Sequence, residues 1–106
     1  MRYPAPGPPI GFAIVRGDSM LPALRAGDRL LVGYRRMPRE GDVVVARFAD
    51  GTVAVKRATE RRVRGWWLLS DNPAEGVDSR HRGPVADDDV LGVVLARVWP
   101  RPRRRL

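Results

Sequence analysis

Two side chains in this 106-residue sequence are of types that can activate one another: Ser19, in the turn Gly17-Asp18-Ser19-Met20-Leu21-Pro22, and Lys56, the one lysine among twenty basic residues. A serine hydroxyl is a poor nucleophile until a neighbouring base takes its proton. Histidine is the usual base, and the chain has one, His81, set between Arg80 and Arg82, whose charges disfavour the imidazolium without orienting the ring. A neutral lysine amine does the same work in Ser-Lys variants of the serine hydrolase site. A free lysine titrates near 10.4, so roughly three pKa units, or about 4 kcal/mol, must be removed before a useful neutral fraction exists near pH 7. Burial supplies shifts of that size, whereas arginine keeps its proton in proteins. In a chain that uses arginine for ordinary positive charge, the lone lysine is either such a base or an isolated surface residue.

The elements that must bring these residues together are short. Gly11 to Arg16 reads as a strand, and Asp18 or Ser19 is a good N-cap for a helix of one or two turns over Met20 to Arg25, with Pro22 tolerated in the first turn and Gly27-Asp28 ending it. Arg29 to Tyr34, Asp42 to Phe48, Thr52 to Thr59, Trp66 to Leu69 and Val90 to Trp99 are further strands, the middle two joined across Asp50-Gly51, a strong hairpin signal. Alternation along Thr52 to Thr59 sends Val53 and Val55 to one side and Ala54, Lys56 and Ala58 to the other, so the lysine stands among small residues. Glu60 to Gly65 reads as a charged turn, Ser70 to Pro84 as a long loop without apolar periodicity, and Val85 to Asp89 as an acidic turn. Six strands with one short helix after the nucleophile predict a mostly β fold, a compact antiparallel domain. It spans 10–99, between a proline-rich extended arm over 1–9 and a basic tail over 100–106 that is either solvated or docked on the surface.

Composition removes other chemistries. Without cysteine there is no disulfide, no thiol nucleophile and no Cys-based zinc site, and neither a metal nor another cofactor is expected. The apolar runs fall far short of the roughly 20 residues that cross a bilayer. Met1 to Pro9 is not of secretion-signal type, so no membrane span and a cytoplasmic location are expected. The net charge of +8 steers the chain toward anionic partners. Part of the arginine bias also fits a GC-rich genome.

Several stretches resemble the boxes of the type I signal peptidase family. Val15-Arg16-Gly17-Asp18-Ser19-Met20-Leu21-Pro22-Ala23-Leu24, followed by Gly27-Asp28-Arg29-Leu30-Leu31-Val32, is similar to its Ser-Met-x-Pro-Thr-Leu and Gly-Asp boxes. Val55-Lys56-Arg57 resembles its Lys-Arg box, and Ser70-Asp71-Asn72-Pro73 with Asp78-Ser79-Arg80 and Gly83-Pro84-Val85 resembles its Gly-Asp-Asn, Asp-Ser-Arg and Gly box. The matches keep the family's order from about residue 15 to 94. The resemblance implies a Ser-Lys peptidase of the signal peptidase / LexA catalytic-core type, with Ser19 as nucleophile and Lys56 as general base. The Ser19 N–H, aided by the turn at Gly17 and Asp18, would face the oxyanion. Arg57, Asp71, Asn72, Asp78, Ser79 and Arg80 would form the supporting polar shell, with Asp78 paired to Arg80 or Arg57; otherwise they belong to a solvated loop. Val15, Met20 and Leu24 line an apolar substrate cleft or serve as core.

The chain departs from the family at Ala23, where threonine is usual, at Ser70, where glycine is usual, and at Gly76, where many members place a serine near the lysine. A nine-residue arm stands before the serine box where the family's familiar members carry membrane anchors, and neither an anchor nor the family's large inserted β domain is expected. A soluble, minimal, arginine-rich form with Trp66-Trp67 ahead of the Asp-Asn box is similar to the nickel-type superoxide dismutase maturation proteases. These remove a short N-terminal leader from a cytoplasmic precursor, which makes a pro-superoxide dismutase the expected partner. Two alternatives stand beside this one. A LexA-type self-cleaving regulator domain shares the chemistry, but no Ala-Gly lies before Ser19 and no helix-turn-helix precedes it. A nonenzymatic basic β module would bind nucleic acid or an acidic protein. Its stacking platform is lacking, because adjacent Trp66 and Trp67 point to opposite faces, and no specific nucleic acid is expected.

Overall fold

The computed structural model describes residues 9–106; residues 1–8, most of the predicted arm, lie outside the described residues. The described chain forms β1 (Ile10–Ile14), β2 (Arg29–Tyr34), β3 (Val43–Arg47), β4 (Val53–Arg62), β5 (Gly65–Leu69), a short helix α1 (Ser79–Arg82), a single 3-10 turn over Asp87–Asp89, and β6 (Val90–Trp99). The strands make one six-stranded sheet in the order β1-β2-β6-β3-β4-β5, with every neighbouring pair antiparallel. The expected fold class is therefore the observed one.

The centre of the sheet follows from β3, whose sequence Val43-Val44-Val45-Ala46 has no polar residue to turn toward water. Period-two alternation then requires apolar cover on both faces. On one side Val43 and Val45 pack with Val15, Met20, Leu24, Leu30, Val32 and Val94. On the other, Val44 and Ala46 pack with Phe48, Ala58, Trp66, Leu68, Val85 and Val93. Lys56 is the register partner of Val44 and so shares the face of this second cluster.

The structure corrects the sequence reading in three places and decides between the two readings of the tail. No helix forms over Met20 to Arg25; residues 19–23 are turns, with Leu24 N–H reaching Met20 O at 2.9 Å. Pro22 offers no N–H, and the residue before a proline is steered away from the helical region, so capping alone does not make a helix here. The short helix is instead α1, inside the segment read as loop, where Asp78 caps it by accepting from Arg80 N–H and His81 Nδ1 accepts from Asp78 N–H. Strand β4 runs on through the first half of the predicted charged turn to Arg62, and β5 begins at its last residue, Gly65. Arg61 and Arg62 lie over the rings of Trp66 and Trp67 on β5, at 5.8 and 3.7 Å to the ring centres, and so continue the hairpin. Finally, the basic tail is docked: Arg97 and Arg103 exchange backbone hydrogen bonds, Leu106 packs against the first cluster, and Leu106 O accepts from Arg57 at 2.9 Å.

Candidate active site

The loop that carries Ser19 leaves β1 and returns to β2, and both its ends are tied together. Val15 N–H donates to Asp28 O at 2.9 Å and Gly27 N–H donates to Val15 O at 2.8 Å, so the Gly-Asp box closes the loop against the strand exit. Gly17 and Gly27 have φ of +72° and +91°, the left-handed region that a side chain disfavours. Within the loop Met20 and Leu24 are fully buried and anchor the turn in the first core cluster. The Asp28 carboxylate accepts from Arg25 N–H at 2.9 Å and lies 3.5 Å from Arg97, which also donates to Ala23 O at 3.1 Å. Among the described residues no acceptor takes the Ser19 N–H, which leaves it available to an incoming oxygen.

Lys56 reaches this turn from β4. Its side chain is 3 % exposed, and its Nζ stands 2.9 Å from Ser19 Oγ. Burial pushes the amine below the ordinary lysine value, the nearby Asp78 carboxylate pulls it up, and Arg80 pushes it down again; the net direction is down. The only plausible rival base, His81, is spent as the N3 partner of the α1 cap.

The loop after β5 clasps both partners. Asn72 N–H donates to Ser19 O at 2.8 Å and Asn72 Nδ2 donates to Asp18 O at 3.1 Å, so this residue grips the nucleophile turn through its backbone. Asp78 is wholly buried and accepts from Ser70 N–H at 2.9 Å, from Arg80 N–H at 3.0 Å and from the Arg80 guanidinium at 3.0–3.3 Å. Burial alone would raise its pKa, but these bonds from Arg80 and Ser70 outweigh it and hold the carboxyl at about 2. Ser79 is also buried, and its Oγ accepts from Leu68 N–H at 2.9 Å. Arg80 further donates to Pro73 O at 3.0 Å and so closes the loop on itself. Arg57 takes the other carboxylate, donating twice to Asp71 at 3.1 and 2.6 Å, and it also donates to Gly41 O and Leu106 O. Of the two pairings expected for Asp78, the one with Arg80 forms and the one with Arg57 does not.

Gly76 lies against both reactive groups. A Cβ built there would lie 2.8 Å from Ser19 Cβ and 3.1 Å from Lys56 Nζ, and its φ is +76°. Glycine is therefore the residue that fits here, and this position gives Lys56 no accessory side chain of the kind the family resemblance implies.

Beside Ser19 lies an open groove of about 280 Å³, lined by Ala13 to Arg16, Ser19, Met20, Val45 and Val53 to Val55. Its walls come from β1, β3 and β4 together with the nucleophile turn, although β1 is not a sheet neighbour of β3 or β4. Val15 and Met20 line it with atoms that also serve the core, whereas Leu24, completely buried, belongs to the core alone. Sequence reasoning missed Arg97 and Leu106, which brace the nucleophile loop and Arg57 from behind. Arg97 gave no signal, being one arginine among nineteen.

Comparison with known proteins fits this arrangement. A family model described as Peptidase S24-like matches residues 5–95. Mitochondrial inner membrane protease subunit 1 of Schizosaccharomyces pombe is 32 % identical over 113 residues, which cover 81 % of this chain and 71 % of that protein. With the antiparallel sheet and the meeting of Lys56 and Asn72 with the Ser19 turn, these matches show that the chain belongs to the peptidase S24-like family and is a peptidase of the signal-peptidase type.

Proposed function

We propose that the chain is a serine endopeptidase in which Lys56 is the general base for Ser19 and that it removes a short N-terminal leader from a precursor polypeptide. The observation that carries the mechanism is the 2.9 Å approach of a buried lysine Nζ to Ser19 Oγ. Neutral Lys56 takes the Ser19 proton as Oγ attacks the scissile carbonyl, and the carbonyl oxygen becomes an oxyanion beside the free Ser19 N–H. The lysine ammonium then gives that proton to the departing amine, leaving an acyl-enzyme on Ser19. Water, deprotonated by the same amine, releases the leader and restores the hydroxyl. Preorganisation comes from the Asn72 grip on the nucleophile turn and from Asp78 and Arg80, which fix the loop beside the lysine.

The groove beside Ser19 is small and mostly apolar, with Arg16 at its edge, which supports an extended substrate with small residues at the cut. For the substrate itself, the compact sheet and Trp66-Trp67 ahead of the Asp-Asn box support a nickel-type superoxide dismutase precursor processed in the cytoplasm. The test is incubation of the purified protein with that precursor, reading its N-terminus by mass spectrometry, beside Ser19→Ala and Lys56→Arg. Cleavage that persists with Lys56→Arg contradicts the mechanism. A precursor left intact by a protein whose Ser19 still reacts with a serine-directed probe contradicts the substrate only. Shortening of the protein's own chain in the absence of precursor favours the self-cleaving alternative.

A further inference from the structure

We propose that Ser70 is a positioning residue for Lys56, its hydroxyl accepting a hydrogen bond from the lysine ammonium once that amine has taken the Ser19 proton. The inference rests on the Ser19–Lys56 reading above and concerns what holds the base while it is charged.

The placement follows from register. Arg57 pairs with Leu69 and Ala58 with Leu68, so one further step along the antiparallel hairpin sets Ser70 across from Lys56. Burial keeps the same alternation: Trp66, Leu68 and Ser70 are buried while Trp67 and Leu69 are half-exposed, so Ser70 extends the face that Lys56 and Ala58 share. Residues opposite one another on a sheet face have Cβ atoms about 5 Å apart, within reach of a long side chain.

The chemistry calls for an acceptor there. An ammonium carries three N–H donors and no acceptor. In the structure the Lys56 amine is bonded to Ser19 Oγ, whose oxygen becomes the new ester bond when the acyl-enzyme forms. The charged neighbours on this side are Asp78 and Arg80, and the Asp78 oxygens already take the Ser70 N–H, the Arg80 N–H and the Arg80 guanidinium. Gly76 brings no side chain, and a Cβ there would crowd the amine. Ser70 is 8 % exposed, and its Oγ is buried without any hydrogen-bond partner among the described residues. Buried hydroxyls are nearly always bonded, so an orphan one beside a base that cycles through a charged state is a group whose partner appears during the reaction. Rotation about χ1 alone turns it among three staggered positions on that face.

The test uses the full chain and a fluorophosphonate probe, which reads activation of Ser19 without any assumption about the natural substrate. Rates of Ser19 labelling are measured across pH for the wild type, Ser70→Ala and Ser70→Thr, with the thermal midpoint of each. Ser70→Ala is expected to label about tenfold more slowly on the plateau, as one lost hydrogen bond to a charged group implies. Its acid limb moves to lower pH, since an acceptor that favours the ammonium has gone. Its melting temperature stays equal or rises, because a buried orphan hydroxyl is removed, and Ser70→Thr restores most of the rate. Labelling of Ser70→Ala at the wild-type rate with an unmoved acid limb overturns the inference and leaves the dyad standing. A slower rate in both variants that tracks a falling melting temperature also overturns it, since that is a packing effect. Wild-type labelling in Lys56→Arg overturns the dyad and the role of Ser70 together.

Discussion

The two halves of the site are held by different physics. The nucleophile half, residues 15–28, is fixed by apolar burial of Met20 and Leu24, by glycines at positive φ and by short-range backbone bonds that tie Val15 to Gly27 and Asp28. The base half, β4 with the segment from Ser70 to Arg82, is fixed by charged and polar partners: Asp78 with Arg80 and the Ser70 N–H, Asp71 with Arg57, and the buried Ser79 hydroxyl with the Leu68 N–H. A nucleophile needs only to be aimed, and packing aims it. A base must also keep a depressed pKa, which depends on the balance between burial and the charges around it. The polar half therefore answers to pH and to single charge changes, and the apolar half to volume.

The largest effects fall where the halves meet. Ser19→Ala and Lys56→Arg are each expected to lower peptide cleavage by at least about 10³-fold, measured as kcat/KM. Lys56→Met is expected to be equally inactive yet more stable by about 1 kcal/mol at pH 7, since it removes a desolvated amine. Next comes the apolar half: Leu24→Ala, at a completely buried position, is expected to cost about 3 kcal/mol in denaturant unfolding. That loss should hardly vary between pH 4 and pH 8.

The polar half behaves otherwise. Asp78→Ala is expected to cost about 3 kcal/mol at neutral pH, because it strands the Ser70 and Arg80 donors. The Asp78 carboxyl is held at about 2 in the folded chain against an ordinary 3.8, so the unfolded chain binds the proton more readily. Its contribution is thus fully present above about pH 4 and lost as pH falls through 2. The stability gap between wild type and Asp78→Ala should be full at pH 6 and clearly narrower at pH 2.5. If the Asp78→Ala loss is as flat with pH as that of Leu24→Ala, the contrast between the halves fails. The smallest effect belongs to the brace: Arg57→Ala, at a partly exposed pair, is expected to cost about 1 kcal/mol and to make the 100–106 tail cleave faster with trypsin.

The same contrast explains what could be read from the residues alone. The nucleophile turn, the strands and the lysine among alanines are local patterns, and alternation on the Thr52 to Thr59 stretch already put Lys56 and Ala58 on one face, which the structure buries. The helix expected after Ser19 failed because Pro22 acts within that same short stretch against the capping residues. The long loop was opaque for a different reason. Its order comes from partners far away in sequence, as when Asn72 grips Ser19 and Arg80 returns to Pro73, and such pairings leave no periodicity behind. The tail was likewise unreadable, because one leucine, Leu106, and one backbone exchange with Arg97 dock a segment whose composition is otherwise that of a solvated end.

Because Lys56 is the sole lysine, its amine can be watched without interference. A pH titration of the protein carrying [13Cε]lysine should show a single side-chain resonance by NMR. The Ser19–Lys56 dyad predicts a midpoint below the ordinary lysine value, and one that moves when Ser19 is replaced by alanine. A midpoint at the ordinary lysine value, unmoved by Ser19→Ala, would contradict it.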